Sequence, residues 1–374
     1  MAGRVMVVGL GALGGTVLEL LARSGGVQEI VAADVNEDWG VRKTNNAVFG
    51  AALQGFYPKM SFRRVDLNDV EGTASLLEEV KPDVLFACVT LQSWWVTELL
   101  PPHLSEIFRR AGSGPRIPMQ LALAHKLMRA VKRSGIEVRV VNSSYPDAVN
   151  PILSRIGLAP TVGVGNSDLL IPRMQKVVSE MLHIPMRNVE IYFVAHHFHI
   201  VSVGRTGSAE GAPYWLKILA EGKDVTEKLG AEKVLAGCRV PVPPPLERQG
   251  PIASSCVKNI LAILNDANLL THAPGPKGLV GGYPVRLNAS GAEVVLPDGM
   301  ALDEAVKINE EAQKYDGVEA ILSDGTVRVT EEAARIMRET LGYECREIRV
   351  EEAERKAEEF ARLFKIFVER HKGG

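Results

Sequence analysis

A glycine-rich turn near the start of the chain restricts its fold more than any other feature. The apolar run 5–8 leads into three glycines with the spacing G-x-G-x-x-G. This order predicts a strand, a tight turn and a helix, in which two glycines let the backbone approach a pyrophosphate and the third lets the helix pack on the strand. The amino terminus of that helix then attracts the anion. The residues predicted to contact a dinucleotide here are Gly9, Gly11, Ala12, Leu13 and Gly14.

An acidic residue at the end of the next apolar segment favours one dinucleotide over another. Asp34 lies twenty positions after Gly14. Its carboxylate is placed to accept hydrogen bonds from both hydroxyls of an adenosine ribose, and it would repel a 2′-phosphate. The sequence therefore predicts NAD rather than NADP. Arg42 and Lys43 leave one alternative open, in which the following loop folds back and admits a 2′-phosphate.

Length, charge and cysteine content limit the class of protein. The chain has 374 residues, of which 46% are hydrophobic, and it is long enough for two domains. Its net charge of −2 argues against a nucleic-acid partner. No apolar run approaches the roughly 18 residues of a membrane span, and the first residues do not form a signal peptide, so we expect a cytoplasmic protein without a membrane partner. The four cysteines are scattered and offer no zinc framework.

Strand and helix patterns alternate through the first part of the chain, as in a doubly wound parallel sheet. The last strand of this part, 136–141, is followed by Asn142, and we predict a Rossmann dinucleotide-binding domain over 1–145. The second part, 146–374, is less regular and is expected to be an α+β domain. Its strand 188–195 delivers His196, His197 and His199, and alternation along a strand would place His197 and His199 on one face. The apolar stripe of the final helix, 350–370, indicates core packing or a subunit contact.

Several blocks, taken in order, resemble the lactate and malate dehydrogenase superfamily over most of the chain. The stretch from Arg173 to His197 has the same length as the family's segment from its substrate-carboxylate arginine to its catalytic histidine. The segment 140–142 resembles the strand that ends in the asparagine contacting nicotinamide and substrate, although residues are inserted after it. The segments 252–287 and 291–305 resemble the family's closing helix, hairpin and last helix.

The resemblance implies a two-domain NAD-dependent dehydrogenase that acts on a small molecule and assembles as a homodimer or homotetramer. It implies that Val89 and Thr90, at the end of the strand 83–89, and Asn142 contact the cofactor, and that Asn142 also orients the substrate. Arg173 would bind a substrate carboxylate, since a planar guanidinium offers a bidentate fork.

Hydride transfer to a carbonyl needs a proton donor, and histidine exchanges a proton near neutral pH. His197 is the expected donor, with His196 and His199 as alternatives. Asp168 is the candidate carboxylate to orient it, although the family's aspartate lies three residues before its arginine, where this chain has Leu170. Another acid in that role is the alternative.

The loop after the fourth strand departs from the family pattern. Lactate and malate dehydrogenases have an arginine-containing lid there, whereas this chain has Gln92, Trp94 and Trp95, with no arginine before Arg109. Gln92 is a candidate hydrogen-bond donor to the substrate, and the tryptophans either line a larger, more apolar substrate site or pack the loop onto the domain. The usual small hydroxy acids are therefore doubtful substrates.

The sequence predicts an NAD(P)-dependent oxidoreductase that transfers a hydride between nicotinamide and a carboxylate-bearing 2-hydroxy or 2-oxo acid. Three alternatives remain open. One is an opine- or saccharopine-type dehydrogenase acting on a C–N bond, and another is a dinucleotide-binding regulator without catalysis. The third, a metal held by His197 and His199 as in related NAD-dependent glycosidases, has no cysteine near 166–168 to support it, so no metal is predicted.

Overall fold

A six-stranded parallel sheet is the centre of the computed structural model, which describes residues 3–371. The strand order is β3-β2-β1-β4-β5-β6, the order of the doubly wound dinucleotide-binding fold. The predicted fold class is therefore confirmed. The strands are β1 (Arg4–Val8), β2 (Glu29–Asp34), β3 (Lys59–Arg64), β4 (Val84–Ala87), β5 (Arg139–Asn142) and β6 (Val162–Gly163).

Helices cover both faces of this sheet. Residues Val5 and Val7 of β1 belong to one hydrophobic core, and Met6 and Val8 belong to another on the opposite face. A strand buried on both faces requires a continuous apolar run, which is what the sequence has at this point. The helices of this part are α1 (Ala12–Ala22), α2 (Glu37–Leu53), α3 (Val70–Val80), α4 (Pro102–Ala111), α5 (Ile117–Ser134) and α6 (Pro146–Arg155).

Three small antiparallel sheets follow. Their orders are β7-β8-β9, β10-β11-β12 and β13-β14-β15. The strands are β7 (Val189–Val194), β8 (Trp215–Ala220), β9 (Lys223–Asp224), β10 (Leu269–Pro274), β11 (Gly282–Asn288), β12 (Gly291–Val294), β13 (Val318–Ile321), β14 (Val327–Val329) and β15 (Glu347–Ile348). The helices are α7 (Ile171–Leu182), α8 (His197–Thr206), α9 (Thr226–Leu229), α10 (Ala231–Gly237), α11 (Gln249–Leu264), α12 (Leu302–Ala312), α13 (Glu331–Leu341) and α14 (Ala353–Arg370).

The end of the chain packs against the parallel-sheet unit. The rings of Phe364 and Phe367 in α14 meet the ring of Phe108 in α4 edge to face, with centroids 5.3 and 5.6 Å apart. All three rings are buried, so the apolar stripe predicted in the last helix is core. The parallel sheet itself continues beyond residue 145, because its sixth strand is β6.

The predicted strand ends where β7 ends, but the segment after it is a helix, so the prediction that strand alternation places His197 and His199 on one face was wrong. β7 ends at Val194, and α8 begins at His197. The first turn of a helix has unpaired N–H groups that require acceptors. The His196 side chain accepts from the Phe198 N–H at 3.3 Å, and the Asp147 carboxylate accepts from the His197 N–H at 2.8 Å. These acceptors stabilise a helix start at this point.

Between residues 3 and 371, no helix combines the length and the apolar character needed to cross a membrane.

Candidate active site

The glycine-rich turn lies between β1 and α1 at the carboxyl end of the parallel sheet. Gly9 has φ +92°, and a Cβ at Gly9 would overlap the carbonyl oxygen of Cys88. A Cβ at Gly14 would overlap the carbonyl oxygen of Gly9. The first and third glycines are therefore required by the close packing of strand, turn and helix.

The second glycine leaves open space instead. Apart from Gly11 itself and its two chain neighbours, no atom lies within 4 Å of the position that a Cβ of Gly11 would take. Gly11 is the residue before α1, no side chain caps that helix, and Ala12 is exposed while Leu13 is half-buried. Free N–H groups at an open helix end attract an anion. These features fit the diphosphate of a dinucleotide.

Asp34 closes β2 beside this turn. Its carboxylate accepts from the Leu10 N–H at 2.7 Å and from the Asn36 N–H at 2.9 Å. Each carboxylate oxygen has two lone pairs, so both oxygens can still accept a ribose hydroxyl. Arg42, considered above for a 2′-phosphate, is paired with Asp38 at 2.8 Å.

A histidine–aspartate pair lies at the start of α8. The Nδ1 of His197 is 2.6 Å from the Oδ2 of Asp316, a carboxylate that is 5% exposed. The hydroxyl of Tyr145 donates to the same oxygen at 2.7 Å. The His197 side chain keeps 21% of its surface accessible, so its ring can meet a substrate.

The charges around His197 favour its protonated form. Burial alone would raise the pKa of Asp316, but the charge of His197 and its hydrogen bond hold that pKa well below its usual range. Burial opposes the protonation of His197, yet Asp316 and Asp147 together raise its pKa above the ordinary value for histidine. Burial also raises the pKa of Asp147 to about 6. Near neutral pH, Asp316 is thus an anion that supports an imidazolium at His197.

The two neighbouring histidines are not placed for proton exchange. His196 and His199 are fully buried, and burial lowers their pKa values to about 3 and about 4. The ring nitrogens of His199 lie 3.1 Å from the carbonyl oxygen of His196 and 3.4 Å from that of Ala212. Of the three histidines, His197 alone combines an accessible ring with a carboxylate partner.

Asp168 does not orient His197. Its carboxylate is bound by the ammonium of Lys258, 2.8 Å from both oxygens, and by the Ser255 hydroxyl at 2.6 Å. Asp168 and Lys258 line a surface cleft of about 610 Å³ that does not include His197. The position equivalent to the family's aspartate is the buried Leu170. The carboxylate that lies beside His197 in the structure is Asp316, not Asp168.

Asn142 ends β5 and is buried. Its amide donates to the Oδ1 of Asn150 at 2.8 Å and to the carbonyl of Ser144 at 3.3 Å, and its Oδ1 accepts from the Ser144 N–H at 2.9 Å. Both ends of the side-chain amide are therefore engaged within the protein. The contact of Asn142 with nicotinamide and substrate stays a prediction.

Val89 and Thr90 follow β4 at the edge of the sheet where the glycine-rich turn lies. Val89 is buried, and the Thr90 Oγ1 lies 2.6 Å from the Gln92 carbonyl oxygen. The Gln92 carbonyl also accepts from the Gln120 side chain at 3.0 Å. The backbone of Gln92 is thus fixed, and this loop borders the carboxyl edge where open α/β sheets bind ligands.

Arg173 lies in the first turn of α7 and is half-buried. Its Nη1 is 3.5 Å from the position that a Cβ of Gly204 in α8 would take. Arg173 is thus close to the carboxyl-terminal part of α8, whereas His197 is the first residue of that helix.

An arginine that the sequence did not indicate reaches the loop after β4. Arg116, just before α5, donates to the Thr97 hydroxyl at 3.1 Å and to the Trp94 carbonyl at 3.4 Å. Its burial lowers its pKa, whereas the charge of Asp316 raises it. Arg116 therefore lies within the electrostatic field of the His197 pair.

Four residues of this site were missed in the sequence. Tyr145 and Asp147 lie in the insertion after Asn142, for which the family resemblance implies no role. Asp316 is 119 residues from His197 and carries no local motif, and Arg116 resembles any arginine before a helix. Of these four residues, only Tyr145 and Asp147 lie in a segment that the sequence marks as unusual, the insertion.

For the described residues, no group of three or more His, Cys, Asp and Glu side chains is arranged to hold a metal ion.

The parallel sheet, its helices and the small antiparallel sheets together have the fold of the lactate and malate dehydrogenases. This confirms the resemblance of the sequence blocks at the level of the fold. No family model matches the chain, and no curated protein matches its sequence.

Three solved structures illustrate the similarity. A lactate dehydrogenase, MGS-M5, from a Medee basin deep-sea metagenome library is 17% identical, with a TM-score of 0.58 over 84% of this chain and 96% of its own. The malate dehydrogenase of Picrophilus torridus is 16% identical, with a TM-score of 0.58 over 84% and 97%. The lactate dehydrogenase of Eimeria maxima, solved with NADH and oxamate, is 13% identical, with a TM-score of 0.59 over 84% and 92%.

Proposed function

We propose that this protein is an NAD-dependent oxidoreductase that transfers a hydride between nicotinamide and a carboxylate-bearing 2-hydroxy or 2-oxo acid. The observation that carries the proposal is the pair of His197 and Asp316, at 2.6 Å, in a dehydrogenase fold. A bound NAD would supply the hydride at C4 of its nicotinamide. The open end of α1 at Gly11, and Asp34 beside it, would hold the cofactor.

His197, Asp316 and Tyr145 would carry out the proton transfer that accompanies the hydride. In the direction of reduction, His197 gives its proton to the oxygen of the substrate carbonyl as the hydride reaches the carbon. Asp316 stabilises the imidazolium and fixes the Nδ1 proton, so that the other ring nitrogen, Nε2, faces the substrate. Tyr145 donates to Asp316 and keeps this carboxylate in place. In the reverse direction, neutral His197 accepts the proton.

The preference for NAD rests on Asp34, and Asp34→Ser is expected to weaken it. The substitution removes a charge that would repel a 2′-phosphate and two acceptors for the ribose hydroxyls. The ratio of kcat/KM with NADH to that with NADPH should fall by about tenfold or more. The exposed Asp298 provides a control, since Asp298→Ser should leave the ratio unchanged. An unchanged ratio in Asp34→Ser would show that another group reads the ribose.

The test of function measures NADH oxidation with a panel of 2-oxo acids, with and without an amine. Turnover with an oxo acid alone supports the proposal. Turnover that requires the amine would instead indicate a dehydrogenase acting on a C–N bond. Binding of NADH without any turnover would indicate a dinucleotide-binding regulator and would contradict the proposal.

A further inference from the structure

The turn 112–116, just before α5, packs against the segment that carries Asp316. The N–H of Ser113 donates to the Oδ1 of Asp316 at 2.9 Å. A Cβ at Gly112 would overlap the carbonyl group of Asp316, and a Cβ at Gly114 would overlap that of the next residue. The two glycines therefore allow backbone to pack directly on backbone at this point. The turn and Asp316 thus have a fixed relative position.

Arg116 is the last residue of this turn, and its side chain reaches the loop after β4. Its Nη1 donates to the Thr97 hydroxyl at 3.1 Å and to the Trp94 carbonyl at 3.4 Å. Thr97 is buried, so the loop is firmly packed where Arg116 binds it. One short turn therefore contacts both this loop and Asp316.

The guanidinium of Arg116 has no carboxylate of its own. Asp316 and Glu98 are paired with His197 and Arg248 instead. The Nε of Arg116 is buried and has no hydrogen-bond partner among the described residues. Burial lowers the pKa of Arg116, whereas the charges of Asp316 and Glu98 raise it. These carboxylates therefore act on Arg116 through space rather than through an ion pair.

Two carboxylates and one guanidinium act on His197. Asp316 lies at its Nδ1, at 2.6 Å, and the Asp147 carboxylate accepts from its N–H at 2.8 Å. Burial lowers the pKa of His197 and the charge of Arg116 also lowers it, whereas the two carboxylates raise it. Two titratable neighbours remain neutral near pH 7, Tyr145 and His196.

A proton donor with two anions beside it holds its proton tightly. General acid catalysis is most efficient when the pKa of the donor lies near the operating pH, because the donor must also release the proton. Asp316 and Asp147 both act against that release. A nearby cation opposes them, and Arg116 carries that charge without an ion pair to neutralise it.

We propose that Arg116 is a positioning residue for the His197–Asp316 pair. Its charge opposes the two carboxylates and keeps the imidazole able to exchange a proton near neutral pH. Its guanidinium also holds the loop after β4 against the turn that binds Asp316. This inference rests on the proposed function. In this role Arg116 acts through His197 and through the loop, and not on the reacting atoms themselves.

Titration of the His197 imidazole by NMR tests the effect of the charge without requiring turnover. The His197 signal is identified as the one that disappears in His197→Gln. Arg116→Gln removes the charge and keeps a hydrogen-bond donor, so the pH midpoint of His197 should rise by about one unit. Arg116→Lys keeps the charge and should leave the midpoint near the wild-type value. Arg110→Gln, at an exposed arginine of α4, is the control and should not move it.

Kinetics separates the charge of Arg116 from its contact with the loop. In Arg116→Gln, oxidation of a 2-hydroxy acid at neutral pH should be about tenfold slower, because a smaller fraction of His197 is neutral. This shift has the opposite sign to the one caused by removing the charge of Asp316. Thr97→Val removes the hydroxyl that accepts from Arg116 and no charge. It should raise KM for the 2-oxo acid by about two- to tenfold and leave the pH midpoint unchanged.

The inference would be overturned by a His197 midpoint that stays fixed in folded Arg116→Gln, or that moves equally in Arg116→Gln and Arg116→Lys. Should Arg116→Gln fail to fold, Arg116→Lys and Thr97→Val still decide. Both should raise KM without moving the midpoint, and a midpoint shift in Thr97→Val would show that the loop contact, not the charge, controls His197. A midpoint that follows the charge in a protein that turns over no 2-oxo acid would contradict the proposed function alone.

Discussion

His197→Gln is expected to reduce kcat/KM for the reduction of a 2-oxo acid by about 10²- to 10⁴-fold, the usual contribution of a positioned proton donor. Glutamine keeps a hydrogen-bonding side chain of similar size, but it cannot give up a proton near neutral pH. Steady-state kinetics measures the loss. The affinity for NADH, measured by fluorescence titration, should stay within about twofold, because His197 is not among the residues proposed to hold the cofactor.

The exposed His103 provides the matched control, since His103→Gln makes the same substitution at a position far from α8 in sequence. It should keep wild-type kinetics. If His197→Gln and His103→Gln behaved alike, His197 would not be the proton donor.

Asp316→Asn should lower kcat/KM and also move the pH profile. In the wild type the pKa of His197 is raised, so reduction, which needs the imidazolium, persists until the pH rises through that raised value. Removing the negative charge of Asp316 lowers the pKa of His197. The pH at which reduction falls to half should therefore shift downward, and oxidation, which needs neutral His197, should begin at a lower pH. The loss at neutral pH should be on the order of 10²-fold or more.

Asp168→Asn removes another buried carboxylate and shows whether Asp168 or Asp316 is the partner of His197. Asp168 is bound to Lys258 and Ser255, so its loss should affect folding stability while the midpoint of the pH profile stays at the wild-type value. A midpoint that moves in Asp168→Asn and stays fixed in Asp316→Asn would restore the pairing expected from the sequence.

The parts of the fold that the sequence predicted are set by local physical rules. Gly9 adopts a positive φ in the turn, and Gly14 packs against the carbonyl of Gly9, five residues before it, so both requirements are local in sequence. The two-sided burial of β1 and β4 requires continuous apolar runs, and these are visible without any knowledge of the tertiary structure. Asp34 was predictable for the same reason, because it is the last residue of the apolar strand β2.

The sequence predictions failed where contacts between residues far apart in the chain determine the local structure. The histidine segment looks like the continuation of a strand, but acceptors from His196 and from the distant Asp147 start a helix at His197. Asp168 is a carboxylate at nearly the spacing expected for a partner of His197. In the structure, however, the ammonium of Lys258, ninety residues away, binds this carboxylate. Asp316 reaches His197 only because α12 and the turn after it bring it there, and no spacing rule describes that contact.

Transfer of deuterium from 4-deuterated NADH to the product tests the proposed function most directly. The wild-type protein with a 2-oxo acid that it reduces should place the label on the carbon that bore the carbonyl, and His197→Gln should transfer it at least about 10²-fold more slowly. NADH that binds but gives no labelled product with any acid of the panel would contradict hydride transfer. Label transfer at the wild-type rate in His197→Gln would contradict the role of the His197–Asp316 pair.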